Sequence, residues 1–137
     1  MSVTSCKVGR GSLLEIQNSD DYAVGLATLE ALLAGPPSQM RLTQMAGRAP
    51  VYGGLTPTER AIPLLVFMTG SSAPVRKTAY DALASALDCT SGLVTIEWTD
   101  SGVTKRYWCH VTDLQPSEWF SWAAATLTAP DPVAETV

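Results

Sequence analysis

Residues 61–111 read AIPLLVFMTGSSAPVRKTAYDALASALDCTSGLVTIEWTDSGVTKRYWCHV, and this stretch decides the fold class. It opens on Ala61–Thr69, the clearest buried strand, with Leu64–Met68 as an unbroken apolar run. Pro63 cannot donate to a ladder and belongs at a strand start, a bulge or an edge. Gly70-Ser71-Ser72-Ala73-Pro74 then turns the chain, with Ser72 or Ala73 as helix N-cap and Pro74 at the first helical position. From Val75 to Asp88 the apolar residues Val75, Ala79, Ala82, Leu83, Ala86 and Leu87 share one face. Arg76, Lys77, Asp81, Ser85 and Asp88 fall mostly on the other, which predicts an amphipathic helix of roughly 21 Å. A hairpin follows. Leu93–Trp98 alternates, Asp100-Ser101-Gly102 turns, and Val103–Val111 returns. The return arm places Tyr107 and Cys109 on one side, and Arg106, Trp108 and His110 on the other.

Outward from this centre, Trp119–Ala129 predicts a closing strand with Phe120, Trp122, Ala124 and Thr126 opposite Ser121, Ala123, Ala125 and Leu127. Ala129-Pro130-Asp131-Pro132 stops it, and residues 133–137 are expected to form a short flexible tail. Upstream, Ser12–Gln17 is a short strand ended by Asn18-Ser19-Asp20-Asp21. Tyr22–Leu33 reads either as a helix, through Leu26, Leu29, Leu32 and Leu33, or as two extended pieces interrupted at Gly25. After Gly35-Pro36-Pro37, Met40–Met45 alternates as a half-buried strand does. Ala46–Glu59 holds Gly47, Gly53, Gly54, Pro50 and Pro57, the composition of a long loop or an extended hairpin arm. With no βαβ alternation and no repeat, the expected class is α+β, mostly antiparallel, with the helix across one sheet or at its end. Residues 1–132 form one expected domain.

Of 137 residues, 46% are hydrophobic and only 16% charged, so the surface carries more neutral and apolar groups than usual, and burial against other subunits is one resolution. The formal charge of −4 and the scattered basic residues argue against nucleic-acid binding. Cys6, Cys89 and Cys109 have no metal or redox spacing, and with no apolar leader in the first residues they imply free thiols in a reducing compartment. Ile62–Met68 is far shorter than the ~20 residues a membrane helix needs, so a soluble protein is expected. His110 is the sole histidine, and in a strand its side chain points away from neighbouring Cys109. No carboxylate pair, phosphate loop or zinc motif stands out, so no catalytic, cofactor or metal residue is assigned, and an enzyme is the most distant reading. Trp98, Trp108, Trp119 and Trp122 suit a stacking platform or interface anchors, but core packing of a small sheet is the preferred reading, with two of them also serving an interface.

In order, the Gly-Pro-Pro break, the Met40–Met45 strand, the Gly-rich arm, Arg60 leading Ile62–Met68 into Thr69-Gly70-Ser71, the helix with Leu83 and Leu87, Lys105-Arg106-Tyr107-Trp108 on the return arm, and Ala129-Pro130-Asp131-Pro132 after an aromatic strand form a pattern. It resembles the N-terminal, ring-forming domain of siphophage distal tail proteins and related minor tail proteins, from about Leu26 to Pro132. Pro63 in the central strand and a sequence ending just after Pro132, where many members continue into a second domain, depart from that pattern. The resemblance implies a β-sandwich flanked by a helix, assembled as a hexameric ring at the distal end of the tail tube. It implies tube, tip or hub and tape measure proteins as partners, a virion tail-tip location and folding in the bacterial host cytoplasm. By the same analogy the arm reaches a neighbouring subunit or the tube, with Arg48, Val51, Tyr52 and Leu55 as candidate interface residues. A tail terminator, a tube subunit, or a Trp-rich carbohydrate- or receptor-binding module are the alternatives.

Overall fold

The computed structural model of the chain describes residues 3–34, 38–43, 51–57, 59–90 and 92–137. In chain order the elements are β1 (Val3–Arg10), β2 (Ser12–Glu15), β3 (Tyr22–Val24), α1 (Leu26–Leu33), β4 (Ser38–Thr43) and β5 (Val51–Pro57). They continue with β6 (Arg60–Met68), α2 (Ala73–Ala86), β7 (Val94–Asp100), β8 (Val103–Pro116), β9 (Trp122–Ala129) and β10 (Glu135–Thr136). The main sheet runs β2-β1-β7-β8-β9-β6-β3, with β10 beside β8, and every pairing is antiparallel. The α+β class and its antiparallel character are as expected. Among the described residues there are two α-helices where one was expected, and the strands follow one curled path in which β8 joins two halves.

β8 causes the curl. Its first half, Val103–Cys109, pairs with β7, and its second half, His110–Pro116, pairs with β9. Between Thr112 and Gln115 it carries one more residue than the facing stretch Thr126–Ala124, with Asp113 at φ 58°. A bulge of this kind bends the strand and sharpens the local twist, so one strand serves two differently oriented halves of the sheet. The β7–β8 turn matches expectation: Ser101 and Gly102 both have positive φ (52° and 81°), the two-residue geometry that suits sheet twist.

The core lies inside the curl. On β6, Arg60, Ile62, Leu64, Val66 and Met68 point inward while Ala61, Pro63 and Phe67 point out, so the apolar run is half-buried. Val94, Ile96 and Trp98 of β7, Tyr107 and Cys109 of β8, and Ala123, Ala125, Leu127 and Ala129 of β9 complete the wall. Trp98 and Tyr107 stack with ring centroids 5.2 Å apart. Leu83 of α2 and Leu87, which caps its C-terminus, reach this core, whereas Val75 and Ala82 of the predicted apolar face stay exposed. The helix therefore docks along a narrow ridge.

The ambiguous stretch Tyr22–Leu33 resolves into strand β3 and helix α1, hinged at buried Gly25. A Cβ on Gly25 would come within 2.8 Å of the Leu65 side chain, so only glycine admits this close approach. Pro63 is accommodated here. The Leu65 N–H donates to Thr28 Oγ1 at 2.9 Å, and Gly25 N–H donates to the Leu65 carbonyl, which shows that odd-numbered residues of β6 face α1 and not β9. The donor that Pro63 lacks thus falls on an edge where no strand needs it. Its carbonyl accepts from Thr28 Oγ1–H at 2.8 Å.

Two segments depart from expectation at the chain ends. Val3–Arg10, unassigned from sequence, is an inner strand between β2 and β7. Glu135 and Thr136, expected to fray, pair with Arg106 and Lys105 of β8, whose first half β9 does not reach. At the β1–β2 hairpin, the Glu15 carboxylate accepts hydrogen bonds from the Ser5 hydroxyl and from the N–H groups of Cys6, Gln17 and Asn18. Burial pushes its pKa up, but these bonds outweigh burial and hold it below the ordinary 4.5.

Two predictions arise here. Thr28→Val keeps the shape of a fully buried side chain but leaves the Leu65 N–H unpaired, so denaturant unfolding should show a loss of about 1–3 kcal/mol. The Glu15 contribution is present above the unfolded carboxylate pKa and lost as pH falls through the lowered folded value. The melting temperature of Glu15→Gln should therefore fall less than that of the parent between neutral pH and that acid range. Parallel curves would contradict the clamp.

Candidate functional site

Chemistry does not single out a site. The structure puts Cys109 inside and His110 outside on β8, as strand alternation requires. Burial pushes the thiol of Cys109 up to about 12, and burial together with the Glu15 charge does the same to Cys6, so both are neutral and poor nucleophiles near pH 7. Asp81 sits on the outer face of α2, ion-paired with Lys77 at 3.0 Å, and Asp88 accepts from the Thr90 N–H. Among the described residues no three His, Cys, Asp or Glu side chains gather as metal ligands, and no helix is long and apolar enough to cross a membrane.

The exposed aromatic residues are the conspicuous feature, and they correct the preferred reading of the tryptophans. Only Trp98 is core; Trp108 is 43% exposed, Trp122 41% and Trp119 67%. They form no common platform. Trp108 lies on the outer face of β8 with its indole N–H donating to Glu135, under the Arg106 guanidinium. Trp122 stands on the outer face of β9, opposite exposed Phe67 of β6.

Trp119, placed on a strand by sequence, sits instead on a one-turn knuckle, Glu118–Phe120, between β8 and β9. Both Trp119 (φ 63°) and Phe120 (φ 58°) are in the left-handed region, an outlier for bulky side chains. The surroundings hold them there. Ser117 exchanges bonds with Trp122 through N–H to carbonyl at 2.7 Å and Trp122 N–H to Ser117 Oγ at 3.0 Å. Arg76 Nε donates to the Trp119 carbonyl, Phe120 packs against Tyr80 at 5.5 Å, and the Lys77 ammonium lies 5.7 Å from the Phe120 ring. Phe120 is thereby tucked in while Trp119 points to solvent. The Pro116-Ser117 step before the aromatic pair was the sequence signal of this turn.

At the opposite end of the strands is a cavity of about 550 Å³. Its floor is Leu32 of α1, Trp98 and Tyr107; its walls are Leu33, Val103 and Val133, with Asp100 and Lys105 at the polar edge. Arg60 braces this end, donating to the Ala31 carbonyl at 2.7 Å and lying over the Tyr107 ring at 5.5 Å. Burial raises the Tyr107 pKa and the Arg60 charge opposes it, so the phenol stays neutral. Nothing in the sequence reading pointed to this cavity, because its parts come from three separated segments.

The third surface is the arm. β4 and β5 pair with each other, apart from the main sheet among the described residues. Val51, Tyr52 and Leu55 lie opposite Thr43, Leu42 and Met40. Gly53 is the extra residue of a bulge between the Arg41–Gly54 and Leu42–Tyr52 pairs. Arg48 lies outside the described residues. The structure thus gathers three of the four candidate interface residues on one strand of a ribbon.

A curled antiparallel sheet bearing two helices and a separate two-stranded ribbon defines the class of fold. No protein-family profile matches the sequence, and no curated protein does. Solved structures do share the fold. The chain matches a component of the phage P2 baseplate in its activated conformation, seen with Ca and again with Sr, with TM-score 0.66 and 16% identity over 94% of this chain. It also matches the Dit protein of phage SPP1, described as a paradigm of the hub adsorption apparatus in phages infecting Gram-positive hosts, with TM-score 0.64 and 14% identity over 96% of this chain. The match takes in 44% of the P2 chain and 52% of the SPP1 chain, so this sequence spans about half the length of each.

The left-handed knuckle carries its own prediction. Trp119→Asn relieves a strained conformation and removes little buried surface, so the isolated chain should gain roughly 1 kcal/mol in denaturant unfolding. A loss of stability would show that the indole packs on its own chain.

Proposed function

We propose that this chain is a structural protein of a siphophage tail tip, forming a ring that joins the tail tube to the tip or baseplate hub. The observation that carries the proposal is fold likeness over nearly the whole chain to a baseplate component and to Dit. Its surfaces suit the role. An exposed aromatic end, an apolar groove and a separate two-stranded ribbon give a low-charge module several faces to bury against neighbours. A hexamer is the expected closed form, with tube, hub and tape measure proteins as contacts and assembly in the host cytoplasm before incorporation at the virion tail tip. The role needs no catalysis, cofactor or metal. The acidic balance suits a lumen through which DNA passes without sticking.

A tail terminator or tube subunit is the second reading, since a head-to-tail contact closes into rings or stacks into filaments according to its rotation. The dispersal of Trp108, Trp119 and Trp122 disfavours a single glycan platform.

Solution mass across a concentration series with negative-stain images tests the proposal. Closed rings with a central lumen are expected. Long tubes would transfer the chain to the tube subunit, and saturable glycan binding by a monomer would overturn the ring reading. Deleting residues 48–55 should leave the melting transition of the main sheet in place and abolish ring closure. Loss of folding would make the ribbon part of the core.

A further inference from the structure

The two features left unused by the fold, the Trp119 knuckle and the 550 Å³ groove, lie at opposite ends of the same strands. In the β6–β9 ladder, Phe67 pairs with Trp122 at the knuckle end and Arg60 with Ala129 at the groove end. Seven residues separate the two registers on β6, roughly 23 Å of strand. A knuckle cannot reach its own groove. A second copy translated along the strands brings one to the other.

We propose that the Trp119 knuckle of one copy seats in the groove of the next, between α1, the β7–β8 turn and residues 132–134. The contact rests on the self-assembling reading above and names its surface. Three observations select a second copy as the occupant. The indole is the most exposed of the exposed large apolar side chains, and Trp119 is held in the left-handed region to present it while its neighbour Phe120 packs on Tyr80. Such outliers persist where the surroundings over-determine them and point to a use outside the local fold. The groove volume falls in the range of cavities that take small-molecule-sized groups, so it has room for an indole and part of Glu118. The charges also match. The groove edge carries Asp100 and Lys105, and the knuckle carries Glu118 beside Trp119, Arg76 on the Trp119 carbonyl, and Lys77 shared between the Phe120 ring and Asp81, so both signs are present on each side. A Trp seated in an apolar pocket with a polar rim is the usual form of an interface anchor.

Because the contact joins two different faces, a complementation experiment tests it. Trp119→Ala removes the knuckle and keeps the groove; Val133→Arg, at an exposed groove residue, blocks the groove and keeps the knuckle. Each variant alone should melt as the parent does and associate at least about 30-fold more weakly by sedimentation, the size expected for a hot-spot residue. Mixed in equal amounts, they should form a one-to-one heterodimer through the single intact contact and go no further. Trp119→Ala chains that assemble like the parent overturn the proposal, even if they form rings and so uphold the ring function. Variants that stay monomeric in the mixture overturn it as well, and so does a parent chain monomeric at the highest concentration reached. Complementation within open stacks would uphold the contact and refute the ring.

Discussion

The fold depends on β8 serving two partners. Its fourteen residues are too many for either neighbour, and the bulge near Asp113 turns the strand between them. The antiparallel sheet curls around its own inner face, and the small side chains of β9 (Ala123, Ala125 and Ala129) leave room inside the curl for the larger β6 row of Ile62, Leu64 and Val66. The same curl leaves two open ends. At one, α1 and residues 132–134 form the rim of a groove; at the other, the link from β8 to β9 is pinched into the aromatic knuckle.

Composition and surface explain one another. A chain with 16% charged residues cannot cover itself with solvated side chains. The surplus apolar surface is not spread evenly. Phe67, Val75, Trp119 and Trp122 cluster about the knuckle end, and Leu33, Val103 and Val133 about the groove. The groups capable of chemistry are muted in contrast, with two thiols neutral in the core and carboxylates held in local bonds by Ser5, Lys77 or Arg106.

Much of the fold was legible. The α2 start at Ser72 and Pro74, the β7–β8 hairpin with its Ser101-Gly102 turn, and the alternation along β9 follow from period and turn chemistry, although α2 ends at Ala86, two residues before the expected Asp88. Which face of β9 lies inside was not legible. Size suggests burying the aromatic row, yet the alanines are inside because space within the curl is short, and Trp122 is left outside. β1 escaped notice because VTSCKVGR carries Lys7 and Arg10 and bulges between Val3 and Ser5, which spoils the two-residue period. α1 hid behind Gly25, whose role depends on Leu65 forty residues away. The end of the chain was expected to fray on composition alone, but an unpaired β8 edge and the Arg106–Glu135 pair at 2.7 Å give it a place. Of the interface candidates, the glycine pattern led to the ribbon, while the knuckle and the groove required the three-dimensional arrangement.

In the proposed contact the protein is a two-ended module that would bind copies of itself head to tail. Hydrogen exchange of the assembled chain against the dilute chain addresses that claim most directly. Added protection is expected in two separate regions, 117–122 at the knuckle and 100–107 with 132–134 at the groove, while the outer face of α2 around Lys77 and Asp81 exchanges as before. Protection confined to one patch would mean a self-facing contact, and protection at neither end would contradict the account.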